Sequence, residues 1–421
     1  MMYIVLAAAL FFQTSSEPSL DSSSPKERMD AIEKMAVLGN REAIPALAAA
    51  LKKEPKSDFR AQIVAGLGRI RDRAALPVLG DALRNDLDKD VRSQAIDSLL
   101  RLYIPIEETG QIRTVFNKVK SVFMQPNGPV VGPEVTVDSE AKELLAAAMQ
   151  KDFNDDVRGQ AVRALGSLRA TDQIPLLISA LEDPKNREHR TVRVEIAHTL
   201  GMLRDPSAGP ALEKALRDSD KDVVAEAVLG VGLVGYTSAR PVIEETFRTS
   251  SSAYIKGRAL ESLALFHDRA SIPLFESLLS NKDDNYRELS AEGLARVKYE
   301  GAKDWQIKYE QERSPNVRIA LAYGLAASGD IDYINHMANS LDSRQVDQAE
   351  VYLFELGKYN GQLNELYRYL RSSNPKVRQG MLRVIGRIGD PTATDKVRPL
   401  TEDANTEVVR EAVDTLRKLS R

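Results

Sequence analysis

The feature that most constrains this chain is a period. Val-Arg recurs at Val91-Arg92, Val157-Arg158, Val192-Arg193, Val317-Arg318 and Val377-Arg378. Related pairs fill the gaps at Glu27-Arg28, Phe59-Arg60, Val223-Val224, Ile255-Lys256, Tyr286-Arg287, Gln348-Ala349 and Val408-Val409. Successive anchors stand 32, 32, 66, 35, 31, 32, 31, 31, 31, 29 and 31 residues apart, a step near 31 with one doubled gap. Other columns keep the same register. Eight residues after the anchor all twelve positions are apolar, and one residue later ten of the twelve are Gly or Ala. At +18 six repeats carry proline: Pro45, Pro77, Pro175, Pro210, Pro241 and Pro273. A chain of 421 residues exceeds one ordinary core. Repeats escape that limit, because each unit buries its apolar face on its neighbours.

Each column has a physical reason. Positions 0, +4, +8 and +11 share one face of a 3.6-residue helix, so the first helix of a unit has one buried stripe. The small residue at +9 allows a neighbouring backbone to come close. Asp58, Asp90, Asp156, Asp222, Asn285 and Asn316, just before their anchors, are candidate N-caps. A turn such as Arg204-Asp205-Pro206 follows, and proline at +18 suits the first turn of a second helix, where its missing N–H costs little. The reading is all-α, with about twelve helix–turn–helix units over residues 27–421.

On these residues, above all DDVRGQAVRALGSLRATDQIPLLISALED (155–183) and RTVRVEIAHTLGMLRDPSAGPALEKALRD (190–218), the chain resembles HEAT repeats of the short type found in phycobilisome lyase-related proteins. The resemblance implies a right-handed α-α superhelix, a HEAT- or armadillo-like solenoid whose second helices line the concave wall. It also implies that the arginines at +1 pair with acids of the adjoining unit. For function it implies a non-catalytic protein-binding scaffold, with a lyase-like or chaperone-like role in cofactor attachment as the alternative.

Two stretches break the period. Between Val91 and Val157 about 35 extra residues, 104–138, interrupt the third unit, whose second helix is expected at Ser139–Gln150. Within them Gln111–Phe123 puts Ile112, Val115, Phe116, Val119, Val122 and Phe123 on one face, an amphipathic helix with a basic side. Gly128–Val137 reads as irregular or hairpin-like. The second break is aromatic. Nine of the thirteen tyrosines and the single tryptophan fall between residues 286 and 369. Tyr286, Tyr352 and Tyr359 occupy core columns and are assigned to packing. Trp305, Tyr309, Tyr333, Tyr367 and Tyr369 lie on or near second helices and are the candidate partner-binding set.

Composition removes several functions. The net charge of −3 gives no basic stripe for nucleic acid, so a protein partner is expected instead. Without cysteine there is no disulfide, thiolate nucleophile or Cys-ligated zinc. Glu195-x-x-His198 has ligand spacing but no second copy, so no metal and no cofactor are assigned. The carboxylates read as solvated helix faces, with no pair standing out, and no enzyme activity is expected. Residues 1–16, with the apolar run Met1–Phe12, read as an export signal ahead of a Ser-rich linker at 17–26. That places the chain in the periplasm or outside the cell, with the cytoplasm as the alternative; the run is too short to span a bilayer.

Overall fold

In the computed structural model, residues 20–37, 41–104, 130–132 and 135–420 are described. The apolar leader, the first three residues of the linker (17–19), and the amphipathic segment Gln111–Phe123 lie outside them. Every regular element among the described residues is helical, and none is long and apolar enough to cross a membrane. The chain divides into two compact units, the second beginning at residue 197.

The first unit holds α1 (Pro25–Val37), α2 (Ala43–Lys53), α3 (Ser57–Ile70), α4 (Leu76–Asn85), α5 (Lys89–Arg101), α6 (Ser139–Lys151), α7 (Asp155–Ser167), α8 (Ile174–Glu182) and the start of α9 (Arg190–Leu203). The second holds the end of α9, then α10 (Gly209–Ala215), α11 (Lys221–Leu233), α12 (Arg240–Thr249), α13 (Ala253–Leu265), α14 (Ile272–Leu278) and α15 (Asp284–Arg296). It continues through α16 (Gln306–Gln311), α17 (Pro315–Ala327), α18 (Ile334–Ser340), α19 (Val346–Tyr359), α20 (Leu363–Leu366), α21 (Pro375–Ile388), α22 (Thr394–Val397) and α23 (Thr406–Leu419). Long first helices alternate with shorter second ones, except in the third repeat, where α6 matches α5 in length.

First helices of successive repeats press directly on one another. A Cβ added to Gly68 would lie 2.6 Å from Cβ of Ser98, one on Gly201 2.7 Å from Cα of Gly230, and one on Gly232 2.6 Å from Cα of Ser262. The +9 column of one helix therefore rests on the +7 column of the next, and Ser98 Oγ donates across the seam to the Val64 carbonyl at 2.9 Å. Pro77, Pro175, Pro210, Pro241 and Pro273 stand at the starts of α4, α8, α10, α12 and α14.

Two details of the sequence reading change. The caps are Asp88, Asn154, Asp220 and Asp283, two residues earlier than expected, each accepting from a first-turn N–H. Asp90, Asp156 and Asp222 sit inside that turn instead, where a carboxylate complements the helix dipole. The arginine column also works differently. Arg60 grips Asp86 with two bonds of 2.7 and 2.9 Å, and Arg378 grips Asp403 with two of 2.7 and 2.8 Å. These acids close the second helix of the same repeat rather than of the adjoining one. The remaining donors reach back to carbonyls of the preceding repeat, Glu54 and Pro55 for Arg60, Ser372 and Ser373 for Arg378. One guanidinium with its five N–H groups thus ties two units together.

The doubled gap obeys the same rule. Arg92 finds its acid at Asp152, 60 residues on, with bonds of 2.7 and 2.9 Å, so α6 completes the third repeat. The described ends of the insertion are pinned: Tyr103 donates to Asp138 at 2.7 Å and the Val131 N–H to the Ser167 carbonyl at 2.8 Å.

Candidate functional site

In the second unit, first helices two repeats apart touch. Gln348 Nε2 on α19 donates to Glu288 of α15 at 3.0 Å, Tyr352 OH donates to Glu292, and Arg296 Nε lies 3.1 and 3.2 Å from the carboxylate oxygens of Glu355. Helices separated by a whole repeat meet over the one between them only on the inside of a curve. The first helices therefore form the inner wall here. This corrects the expectation from the resemblance that second helices line it.

A pocket of about 610 Å³ opens on that wall. It is built by Tyr254, Gly257, Arg258 and Glu261 of α13, Asn285, Glu288, Leu289 and Glu292 of α15, Asn316 of α17, and Arg344, Asp347, Gln348, Val351 and Tyr352 on and before α19. Behind it lies a buried network. Arg296 pairs with Glu355 and reaches Glu292 at 3.3 Å, while Tyr323 OH donates to Glu355 at 2.6 Å. Tyr323 and Tyr352 stack with ring centroids 4.5 Å apart, 6° from parallel. Glu261, Glu292, Arg296 and Glu355 are all buried.

Burial governs the protonation of this wall. It pushes Glu288 up to about 8, with the neighbouring Glu292 charge adding to the effect. It pushes Glu261 up to about 7 against the pull of Arg258. Glu292 is raised as well, by burial first, with Arg296 opposing. Glu288, and in part Glu261, hold a proton near pH 7 and can donate a hydrogen bond or lose that proton to a cation. A well-formed pocket with convergent polar groups and displaced pKa values is the usual mark of a binding site.

This pair-wise acid cluster was missed in the sequence, where no carboxylate pair stood out. A signal was present. Glu288, Glu292 and Arg296 are spaced i, i+4, i+8 on one face, and Glu261 and Glu292 share the +6 column with His198 and Tyr323.

The structure disperses the aromatic set. Trp305 is 3% exposed, with its ring filling the space left by Gly324. Tyr369 is 8% exposed and donates to Asn335 at 2.7 Å. Tyr309 and Tyr333 meet edge-on at 4.9 Å, and Tyr309 bonds His336 at 2.8 Å; all three line a second, open hollow with Asp330, Asp332 and Asn335. Tyr367 is half-buried and lines neither pocket. Of the tyrosines assigned to packing, Tyr352 is fully buried and Tyr286 half-buried against Phe247. Tyr359 is 61% exposed, a correction: it stands edge-on to Phe354 near the end of α19 instead of entering the core. Glu195 and His198 do not converge on a metal either, for Glu195 takes Arg163 and His198 takes Glu226 at 2.9 Å.

Helix pairs copied along the chain, with glycine-seamed first helices and an arginine clip in most units, define an α-helical repeat protein. The HEAT repeat family matches residues 17–100, 141–232, 185–264 and 363–421, more than half of the sequence, and the chain belongs to that family. It is similar to the phycocyanobilin lyase subunit alpha of Nostoc sp., with 29% identity over 195 residues, 42% of this chain and 69% of that protein. Among solved structures, the complex of CpcE and CpcF of phycocyanin lyase from Nostoc sp. PCC7120 aligns at 19% identity and a TM-score of 0.40, over 63% of this chain and 94% of that one. Importin beta aligns at 11% identity and a TM-score of 0.48, over 96% of this chain and 56% of that one.

Proposed function

We propose that this protein is a scaffold that holds a protein partner against the inner wall of its second unit. One observation carries the reading: α13, α15 and α19 curve round a polar pocket of about 610 Å³ on the side where first helices two repeats apart meet. Concave walls of stacked repeats are the usual binding surfaces of such arrays. The test is cross-linking followed by pull-down from the native source. Tyr254→Ala and Arg344→Glu, both on the wall, are compared with Tyr309→Ala and Tyr333→Ala on the second hollow. Loss of a specific partner in the first pair alone supports the reading. Equal recovery by wild type and both wall variants removes it, and loss only in the second pair moves the interface to the aromatic set.

A second reading is favoured by the similarity to a lyase subunit. In it the chain assists attachment of a tetrapyrrole, with the protonated carboxylates of the wall as available acids. Purified protein mixed with phycocyanobilin then shifts the visible band of the pigment; an unchanged spectrum disposes of this reading. We further propose that residues 1–16 direct export, which the mass of the chain isolated from its cells decides.

A further inference from the structure

Gly257 is out of place. Glycine in mid-helix costs about 1 kcal/mol relative to alanine, and elsewhere in the second unit that cost has a visible reason. A Cβ would meet neighbours at 2.7 Å on Gly201, 2.6 Å on Gly232, 2.6 Å on Gly293 and 2.5 Å on Gly324. On Gly257 it would meet only Asn285 Nδ2 at 3.7 Å. Nothing packs into the space this glycine leaves. That space is part of the inner-wall pocket.

The pocket has a direction. The exposed ring of Tyr254 stands on α13 beside the opening left by Gly257, and Leu289 and Val351 supply apolar wall. Four carboxylates, Glu261, Glu288, Glu292 and Asp347, line it from three segments against three arginines, Arg344, Arg258 at 3.3 Å from Glu261, and Arg296, which reaches Glu292 from behind at 3.3 Å, so acids remain in excess. Burial, with mutual repulsion added, raises the pKa of three of those acids. A cation placed among them replaces the protons and relieves the repulsion. An anion would add to it.

We infer that this pocket receives one ammonium or guanidinium group on an aliphatic stem, a lysine or arginine side chain presented by the partner. This rests on the inner wall being the recognition face. The stem lies along Leu289 and Val351 and the carboxylates take its N–H donors, while Arg258, 5.2 Å from the Tyr254 ring centroid and bonded to its hydroxyl, holds that ring at the rim. Gly257 keeps the entrance open.

The experiment is calorimetric titration of the full chain with four probes: Nα-acetyl-lysine methylamide, its arginine analogue, its uncharged norleucine analogue, and spermidine. Wild type is compared with Gly257→Leu, which fills the pocket, and Gly257→Ala, which leaves most of it open. The two cationic amino-acid probes are expected to bind wild type at least tenfold more tightly than norleucine. Gly257→Leu is expected to lose at least tenfold of that affinity and Gly257→Ala less than threefold. Norleucine binding as tightly overturns the inference, as does unchanged binding to a Gly257→Leu chain that melts like wild type. Spermidine binding tenfold better than both amino-acid probes overturns the assignment to a partner side chain. If Gly257→Leu does not fold, Glu288→Gln takes its place, with the same tenfold loss required. A partner captured through Tyr254 and Arg344 but indifferent to Gly257→Leu leaves the scaffold standing and removes only this inference.

Discussion

At the scale of single residues, Glu288 and Arg92 show opposite uses of charge. Glu288 is lifted from 4.5 to about 8 in the folded chain, so between those values the native state holds a proton that the unfolded state has released. Its contribution to stability therefore falls as pH rises through that window, and Glu261, lifted to about 7, acts with the same sign. Glu288→Gln removes the ionisable group while keeping the shape. It is expected to raise stability by about 1–2 kcal/mol at pH 9 and to change little at pH 5, read from urea unfolding at both values. Arg92 is the reverse case. Its side chain and that of Asp152 are almost wholly enclosed, 8% and 4% exposed, and each satisfies the other. Arg92→Ala strands the carboxylate and is expected to cost about 3–5 kcal/mol, measured as a fall in the denaturant midpoint; Arg92→Ala with Asp152→Ala together costs less than the single change.

At the scale of the helix, close approach decides which small residues are indispensable. Gly232 and Gly257 look alike in the sequence, each a glycine inside a first helix. Gly232→Val must push its methyls into Ser262, with loss of about 1–3 kcal/mol. Gly257→Ala meets nothing nearer than 3.7 Å and gains helix propensity, so it is expected to be neutral or stabilising by up to about 1 kcal/mol. Thermal melts of the two variants separate the cases. Helix ends follow a similar logic. First helices close on a left-handed residue, glycine at Gly235, Gly329 and Gly389 but a basic residue at Arg71, Arg169, Arg204, His267 and Lys298. The arginines and Lys298 complement the C-terminal dipole while forgoing the freedom of glycine; burial lowers the His267 pKa and disfavours its charged form. Arg71 also donates to the carbonyls of Arg101 and Ile104 at the end of the next first helix.

At the scale of the molecule, the fold was legible in the sequence because a repeat states its rule many times. Twelve apolar residues at +8 and six prolines at +18 place helix pairs without knowledge of any contact. The binding wall was not legible for the complementary reason. Contacts such as Tyr352 to Glu292 and Arg296 to Glu355 join positions about 60 residues apart, and no column within one repeat encodes them. Tyr359 shows the limit of the column argument: it holds the +11 place near the end of α19, yet the ring turns outward. Because repeats depend on their neighbours, exchange of backbone amides is expected to be slowest in α11, α13, α15 and α17, which have first helices on both sides. Exchange in α23 should be at least tenfold faster, by mass spectrometry at neutral pH. Uniform protection along the second unit would show a single cooperative block instead.

The bonds that bridge over α17 hold the second unit in its curve. Straightening it would part Arg296 from Glu355, Tyr352 from Glu292 and Gln348 from Glu288, and admit water to Glu288, whose hold on its proton depends on burial. Stiffness and acidity are thereby linked: Glu288 keeps its proton while the wall is closed over it, and the curve is expected to loosen as the medium turns alkaline.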